Sequence, residues 1–231
     1  MWQLNREAEV QILELQGSKI WIIDDFLEQP NKLARYLFAR KTASVQGSPW
    51  HENNVTFFKG RHMDFDDNAC PVVWLAQNLC EQTIDFQGGY KTNVEGWLND
   101  DDDNDFKNNY WFPHIDNGYT CLIYLNDNDD VDNGTNLYDP SLKEEEWFKT
   151  LMKKPPRGTS PWIPKDKVKL LEHIPPKYNR MLLFDGNYFP HGSAVNNKKY
   201  FSDLKGSPRD FRSNVSFFFY PYGTKKTQKN V

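Results

Sequence analysis

The spacing of hydrophobic positions changes period along the chain. Val10 to Leu15 alternate loosely, and Lys19-Ile20-Trp21-Ile22-Ile23 follows the Gly17-Ser18 turn as a short β-branched run, so both read as strands. After Asp24-Asp25, the spacing of Phe26, Leu33, Tyr36 and Leu37 predicts a helix within 26–39, with Pro30-Asn31 near its start. The stretch 42–67 is loop-like and rich in aromatics. Val72, Val73, Leu75, Ala76, Leu79, Ile84 and Phe86 predict a second amphipathic helix over 70–87, closed by Gly88-Gly89.

From there the period shortens to that of strands. Lys91 to Leu98, Tyr110 to Asp116, Thr120 to Leu125, Gly134 to Tyr138, Val168 to Ile174, Arg180 to Phe184 and Arg212 to Tyr220 read as strands. Acidic turns separate some of them: Asn99 to Lys107, which includes Asp100 to Asp103, and Asn126 to Asn133. Such charge runs are ordinarily solvated loops. Residues 140–167 interrupt the pattern with a charged helix over Ser141 to Met152, whose Ser141-x-x-Glu144 reads as a capping box, and a Pro-rich loop. Helices followed by many short strands predict a mainly β fold, a double-stranded β-helix (jelly roll, cupin-like) with N-terminal helices packed on one sheet. No linker or repeat divides the chain, so 1–231 reads as a single domain. A strand and helix support region occupies 1–90, and a β core occupies 91–222 with the insert 140–167. Inserts at a barrel mouth carry specificity, so this one reads as a lid or substrate-recognition element.

Composition narrows the class. The 231 residues carry a net charge of -4, which argues against nonspecific binding to nucleic acid or membrane. No apolar run is long enough to span a bilayer and the start carries no signal-peptide pattern, so a soluble, cytoplasmic protein is expected. Cys70, Cys80 and Cys121 are an odd set without metal-site spacing and read as buried free thiols. At 15% aromatics, the core and a cleft are expected to be built from rings.

The chemistry gathers around His114-Ile115-Asp116. Residues i and i+2 of an extended strand share a face, so this imidazole and carboxylate can converge on one metal. Asn187-Tyr188-Phe189-Pro190-His191-Gly192 brings a second histidine from far along the chain. Two His and one carboxylate, with no Cys nearby, suit Fe(II), or Mn and Co as substitutes, better than a closed zinc site. On the last strand, Arg212, Asn214, Ser216 and Phe218 share a face, where a guanidinium can take a carboxylate through two hydrogen bonds. Tyr124 offers a phenol to the same group. A metal triad plus an Arg/Tyr clamp implies a dicarboxylate that chelates the metal at its other end, such as 2-oxoglutarate. Arg209 competes with Arg212 for the clamp, but only Arg212 opens the apolar strand. His51, His62 and His173 lack partners at ligand spacing and read as non-ligands. Arg61, His62, Tyr110 and Trp111 are candidates to line a substrate cleft.

Taken in order, His114-Ile115-Asp116, Cys121 to Asn126, Asn133-Gly134-Thr135, Leu183-Phe184-Asp185-Gly186, His191 and Arg212 resemble the Fe(II)/2-oxoglutarate-dependent dioxygenase superfamily, most closely its prolyl-hydroxylase-like branch. The resemblance covers roughly 91–220, and the run Ile20 to Leu27 is similar to the N-terminal support region of that branch. It implies that His114, Asp116 and His191 hold iron. Tyr124 and Arg212 would bind the distal carboxylate of 2-oxoglutarate, with Ser216 a weaker helper. It further implies hydroxylation of an aliphatic C–H in a peptide, protein or small molecule, using O2 and releasing succinate and CO2. Asp116 favours hydroxylation, because members that halogenate lack that carboxylate. Two features depart from the family. The interval from His191 to Arg212 is long, which an insert over 197–210 accounts for, and the usual Arg-x-Ser reads Arg212-Ser213-Asn214. Two alternatives stay open: a non-catalytic jelly-roll binding or structural module, and a cupin-like metalloenzyme that does not use 2-oxoglutarate.

Overall fold

The computed structural model describes residues 2–38, 43–44, 58–59, 71–80, 84–92, 105–111, 113–125, 134–153, 162–194 and 214–221. The fold is mainly β, and every strand pairing is antiparallel. It opens with a hairpin of β1 (Glu9–Leu15) and β2 (Ser18–Asp24). The two loop residues, Gln16 and Gly17, have φ of 49° and 79°, the doubly left-handed turn whose twist matches that of a two-residue hairpin. Next come α1 (Pro30–Phe38), the two-residue strands β3 (Ala43–Ser44) and β4 (Phe58–Lys59), α2 (Pro71–Cys80), β5 (Ile84–Thr92), α3 (Asp105–Asn108) and β6 (Asn109–Trp111). The remaining elements are β7 (Tyr119–Tyr124), β8 (Thr135–Tyr138), α4 (Glu146–Lys153), β9 (Trp162–Pro164), β10 (Leu170–Ile174), β11 (Met181–Asp185), β12 (His191–Ser193) and β13 (Asn214–Pro221).

These strands form an eight-stranded sheet in the order β1-β2-β11-β7-β13-β5-β4-β3, a three-stranded sheet β10-β8-β12, and a β6-β9 ribbon. Alternation along the central strands gives the large sheet two apolar faces. Trp21 and Ile23, Cys121 and Ile123, Met181 and Leu183, and Val215, Phe217 and Phe219 pack with Leu33 of α1 and Val72 and Ala76 of α2. The intervening residues Ile20, Ile22, Leu122, Tyr124, Leu182 and Phe184 pack on the opposite face against Leu137 and Ile174 of the three-stranded sheet. A sheet covered on both sides explains why these segments read as near-continuous apolar runs rather than strict alternation.

Several element assignments differ from the sequence expectation: the short strands β3 and β4 fall in the stretch read as loop, α3 overlaps the acidic turn 99–107, and β9 lies in the Pro-rich part of the insert. The second helix ends at Cys80 rather than at Gln87, and 84–92 form β5, with Gly88 and Gly89 opposite Phe217 and Ser216 of β13. Ile84 and Phe86 extend the helical spacing of Val72, Ala76 and Leu79, yet they also alternate at strand period, and pairing with β13 decides between the two. The expected boundary at residue 90 therefore falls inside a strand of the large sheet, to which β1 and β2 also belong. In the insert, Asp139 rather than Ser141 caps a 3-10 turn over Pro140–Glu144, accepting from the Ser141 amide at 3.0 Å, and α4 begins only at Glu146. The charged helix thus starts later than its Ser-x-x-Glu pattern implies. Cys80 and Cys121 are buried free thiols as expected, and burial pushes the Cys80 thiol up to about 12, with Asp185 adding to it. Cys70 lies outside the described residues.

Polar contacts fasten the hairpin to the rest. Asp24, at the end of β2, accepts Arg180 Nε at 2.6 Å and Nη2 at 3.0 Å, plus Lys177 Nζ at 2.9 Å, while Arg180 Nη1 donates to the Pro175 carbonyl at 2.8 Å. Asn179, at φ 63°, uses its side-chain amide like a strand backbone, accepting from the Leu27 amide at 3.0 Å and donating to its carbonyl at 2.9 Å. Burial raises the Asp24 carboxyl, but the hydrogen bonds and charges of Arg180 and Lys177 outweigh it and hold the group below its ordinary value. A lowered folded pKa stabilises above the unfolded pKa of about 4 and is lost as pH falls through the folded value. Asp24→Asn is therefore expected to cost about 2 kcal/mol at neutral pH. It should also flatten the acid limb of stability in denaturant titrations run from pH 7 down to pH 3. An Asp24→Asn protein with the parent's acid limb would contradict this role.

Candidate metal centre

The two histidines meet because their backbones do. His114 and His191 form an isolated antiparallel bridge, with amide-to-carbonyl hydrogen bonds of 2.8 Å in both directions. Residues directly opposite in an antiparallel pair project to the same face, so the imidazoles converge without any loop adaptation. Their ring centroids are 4.5 Å apart. His191 opens β12, which pairs with β8 so that His191 faces Leu137, and its ring meets Phe184 edge-on at 4.8 Å. The site thus sits at the end of the apolar layer between the two larger sheets.

Asp116 completes the group. Its amide donates to the Gly186 carbonyl at 3.0 Å, and its Oδ2 lies 3.1 Å from His191 Nε2. Thr120, the second residue of β7, donates its hydroxyl to the same oxygen at 2.5 Å. One potential ligand atom from each of His114, Asp116 and His191 lies within 4.8 Å of the others. His191 is buried, and the other two are half-buried. Among the described residues no other group of three His, Cys, Asp or Glu gathers this way.

The donor set fits a cation. The Phe189 carbonyl can only accept, so His191 Nδ1, at 2.9 Å from it, carries a proton, and Nε2 of the neutral ring presents a lone pair. That lone pair faces a carboxylate oxygen. Two acceptors at 3.1 Å repel unless a positive charge lies between them, either a second imidazole proton or a metal ion. Fixing one ring nitrogen on a backbone carbonyl so that the other points into the site is the usual orienting device for a ligating histidine. Burial raises the Asp116 carboxyl, but when the imidazoles are protonated the hydrogen bond and charge of His191, the charge of His114 and the Thr120 hydroxyl overturn this and hold it below the carboxylate range, and a cation in place of the His191 proton acts in the same direction. It is an anion, as a metal ligand must be.

A second polar group lies on the same face of the large sheet. The Tyr124 hydroxyl is 2.6 Å from Thr135 Oγ1 and both are buried. Opposite Tyr124, Asn214 donates through Nδ2 to Ser216 Oγ at 2.8 Å, while its buried Oδ1 has no hydrogen-bond partner. An orphaned buried polar atom costs about 1–3 kcal/mol, so this oxygen calls for a partner such as a water, an ion or a ligand group.

The structure therefore brings His114, Asp116 and His191 together, and places Tyr124 and Ser216 on one sheet face. Arg212, Arg209, Arg61, His51 and His62 lie outside the described residues. Tyr110 is half-buried, packs on Tyr138 at 5.1 Å and carries Lys165 Nζ at 5.3 Å from its ring centre, whereas Trp111 is buried. His173 stands apart from the triad, with Nδ1 2.8 Å from Asn136 Oδ1. Sequence reasoning missed Thr120 and Gly186. The alternation Thr120, Leu122, Tyr124 already put the threonine on the inner face, and that was the available signal. No family model matches this chain, and no curated protein matches it either. Among the described residues no helix is long and apolar enough to cross a membrane.

A metal that binds only the folded chain raises its stability, by about 2.7 kcal/mol at a hundredfold excess over Kd. Mn(II) or Co(II) is expected to raise the unfolding temperature of the parent protein and to leave His191→Ala and Asp116→Ala unmoved. Equal shifts in parent and variants in a thermal melt would place the metal elsewhere.

Proposed function

We propose that this chain is an Fe(II)- and 2-oxoglutarate-dependent dioxygenase, similar to the prolyl-hydroxylase-like branch, that hydroxylates an aliphatic C–H of a peptide, protein or small molecule. The observation that carries this reading is the convergence of two imidazoles and one ionised carboxylate at the end of an apolar layer, with no thiolate among them. That donor set suits Fe(II) with positions left open for other ligands.

The strand order supports a double-stranded β-helix as the scaffold. β5, β13, β7 and β11 lie side by side in the large sheet; β12, β8 and β10 lie side by side in the small one, and the His114 bridge extends the small sheet past β12. Along the chain β7 lies in the large sheet, β8 and β10 in the small one, and β11, β12 and β13 then alternate between large and small, a winding compatible with a jelly roll.

His114, Asp116 and His191 would hold the iron. With O2 and 2-oxoglutarate, the metal would supply the oxidation that couples decarboxylation, to succinate and CO2, to C–H hydroxylation. The remaining contributions come from the chain's residues. Phe189 fixes the tautomer of His191, and Thr120 holds Asp116. Tyr124, Thr135, Asn214 and Ser216 offer hydroxyl and amide groups in an otherwise apolar layer, where a carboxylate end of the cosubstrate can be received. Turning the Asn214 amide over leaves an N–H donor in place of its orphan oxygen and lets Ser216 donate to it, an arrangement suited to an anion. Arg212 is the cation assigned to this clamp.

The test begins anaerobically. Fe(II) and 2-oxoglutarate together are expected to give a weak visible absorption band with the parent, and Arg212→Ala should lose the band while retaining metal. A folded, metal-binding parent with no band points to a cupin-like metalloenzyme that does not use 2-oxoglutarate. A folded parent that binds no metal points to a jelly-roll binding module. If Arg209→Ala rather than Arg212→Ala abolishes the band, the clamp's cation is Arg209.

A further inference from the structure

Asp116 is held at three points, and the third explains an obligatory glycine. Its backbone amide is tied to the Gly186 carbonyl, its Oδ2 accepts the Thr120 hydroxyl, and Gly186 lies directly behind both. A Cβ at Gly186 would collide with Thr120 Oγ1, and it would also stand 3.0 Å from the Gly118 carbonyl oxygen and 3.1 Å from Asp116 Cβ. The Gly186 backbone has no positive φ, so steric room rather than backbone freedom demands glycine here. Thr120 is itself 2% exposed on β7, whose position is set by pairing with β11 and β13. Its hydroxyl therefore projects from a rigid strand, not from a loop.

A free carboxylate turns about its Cβ–Cγ bond and binds a cation through one oxygen or both. The Thr120 hydroxyl removes that freedom, because it engages the oxygen that faces His191. Resting on the triad reading, we propose that Thr120, given room by Gly186, is a positioning residue that fixes Asp116 as a one-oxygen ligand. It thereby preserves the positions the metal keeps for exogenous ligands. Gly186 acts indirectly: it allows the Thr120 hydroxyl to stand where it does.

Co(II) tests this without turnover, since its visible spectrum reports coordination number and its binding can be titrated. Thr120→Val keeps shape and β-branching but removes the donor, and is expected to weaken Co(II) binding about tenfold. It should also change the intensity of the Co(II) bands. Thr120→Ser should restore affinity and spectrum together, which a purely packing role would not produce. Gly186→Ala should reproduce the spectral change of Thr120→Val, and Thr120→Ala tests the same loss should the valine variant not fold. Parent-like affinity and spectrum in a folded Thr120→Val protein overturn the proposal while leaving the triad intact. A folded parent that binds no Co(II) overturns the triad and this proposal together. Failure of Thr120→Ser to rescue also overturns it.

Discussion

The paired backbone hydrogen bonds between His114 and His191 are the constraint on which the site depends. Because side-chain period in a strand is two, a one-residue slip of β12 would turn His191 away and bring Gly192 to the inner face. Register is defended locally. Asp185 Oδ1 accepts the amides of Asn187 and Tyr188, the Asp185 carbonyl accepts the Phe189 amide, and the Tyr138 amide donates to the Pro190 carbonyl. The turn between β11 and β12 is thus set on both sides before His191 is reached. The geometry of the candidate metal centre is inherited from sheet pairing.

The same sheet that positions the ligands carries the core, and its two faces do different work. Toward α1 and α2 it is mostly apolar, built from Cys121, Ile123, Val215, Phe217 and Phe219 with Trp2 packed edge-on against Phe217. The opposite face mixes Leu122 and Phe184 with Thr120, Tyr124, Asn214 and Ser216. Buried polar groups weaken a fold unless they are paired, and here Thr120, Tyr124 and Ser216 each find a partner while Asn214 Oδ1 does not. The helix-covered face supplies the stability that lets this face carry such groups.

Much of this was legible because the relevant signals are local. The spacing of His114 and Asp116, the apolar runs of β2, β7 and β11, and the helix beginning at Pro30 each follow from short-range pattern. What was not legible depended on partners distant in sequence. Ile84 and Phe86 satisfy helical and strand periods equally, and only β13, far along the chain, decides for strand. The cap at Asp139 rather than Ser141 is tied to Lys169, which accompanies it at 2.9 Å, and the Thr120 hydroxyl meets Asp116 where Gly186, far along the chain, leaves room for it. An HxD in sequence announces candidate ligands but not the groups packed around them.

The insert shows how far such support reaches. As a sequence it reads as a lid or substrate-recognition element, and its described parts are anchored: Leu142 and Phe148 bury themselves with Tyr138 and Val168, and Tyr110 and Ile163 pack against that cluster. β9 also pairs with β6, the strand whose chain runs on to His114, with Tyr110 opposite Ile163 and Trp111 opposite Trp162. The segment preceding the first ligand is therefore braced by the insert, while the segment preceding the second is braced by the Asp185 turn. Two candidate ligands from distant parts of the chain need matching rigidity if they are to hold one ion, because a ligand that wanders by an ångström forfeits much of the affinity its partners supply. In this fold the outer cluster under the insert braces one approach to the candidate metal centre from outside the small sheet, as the apolar layer braces it from within.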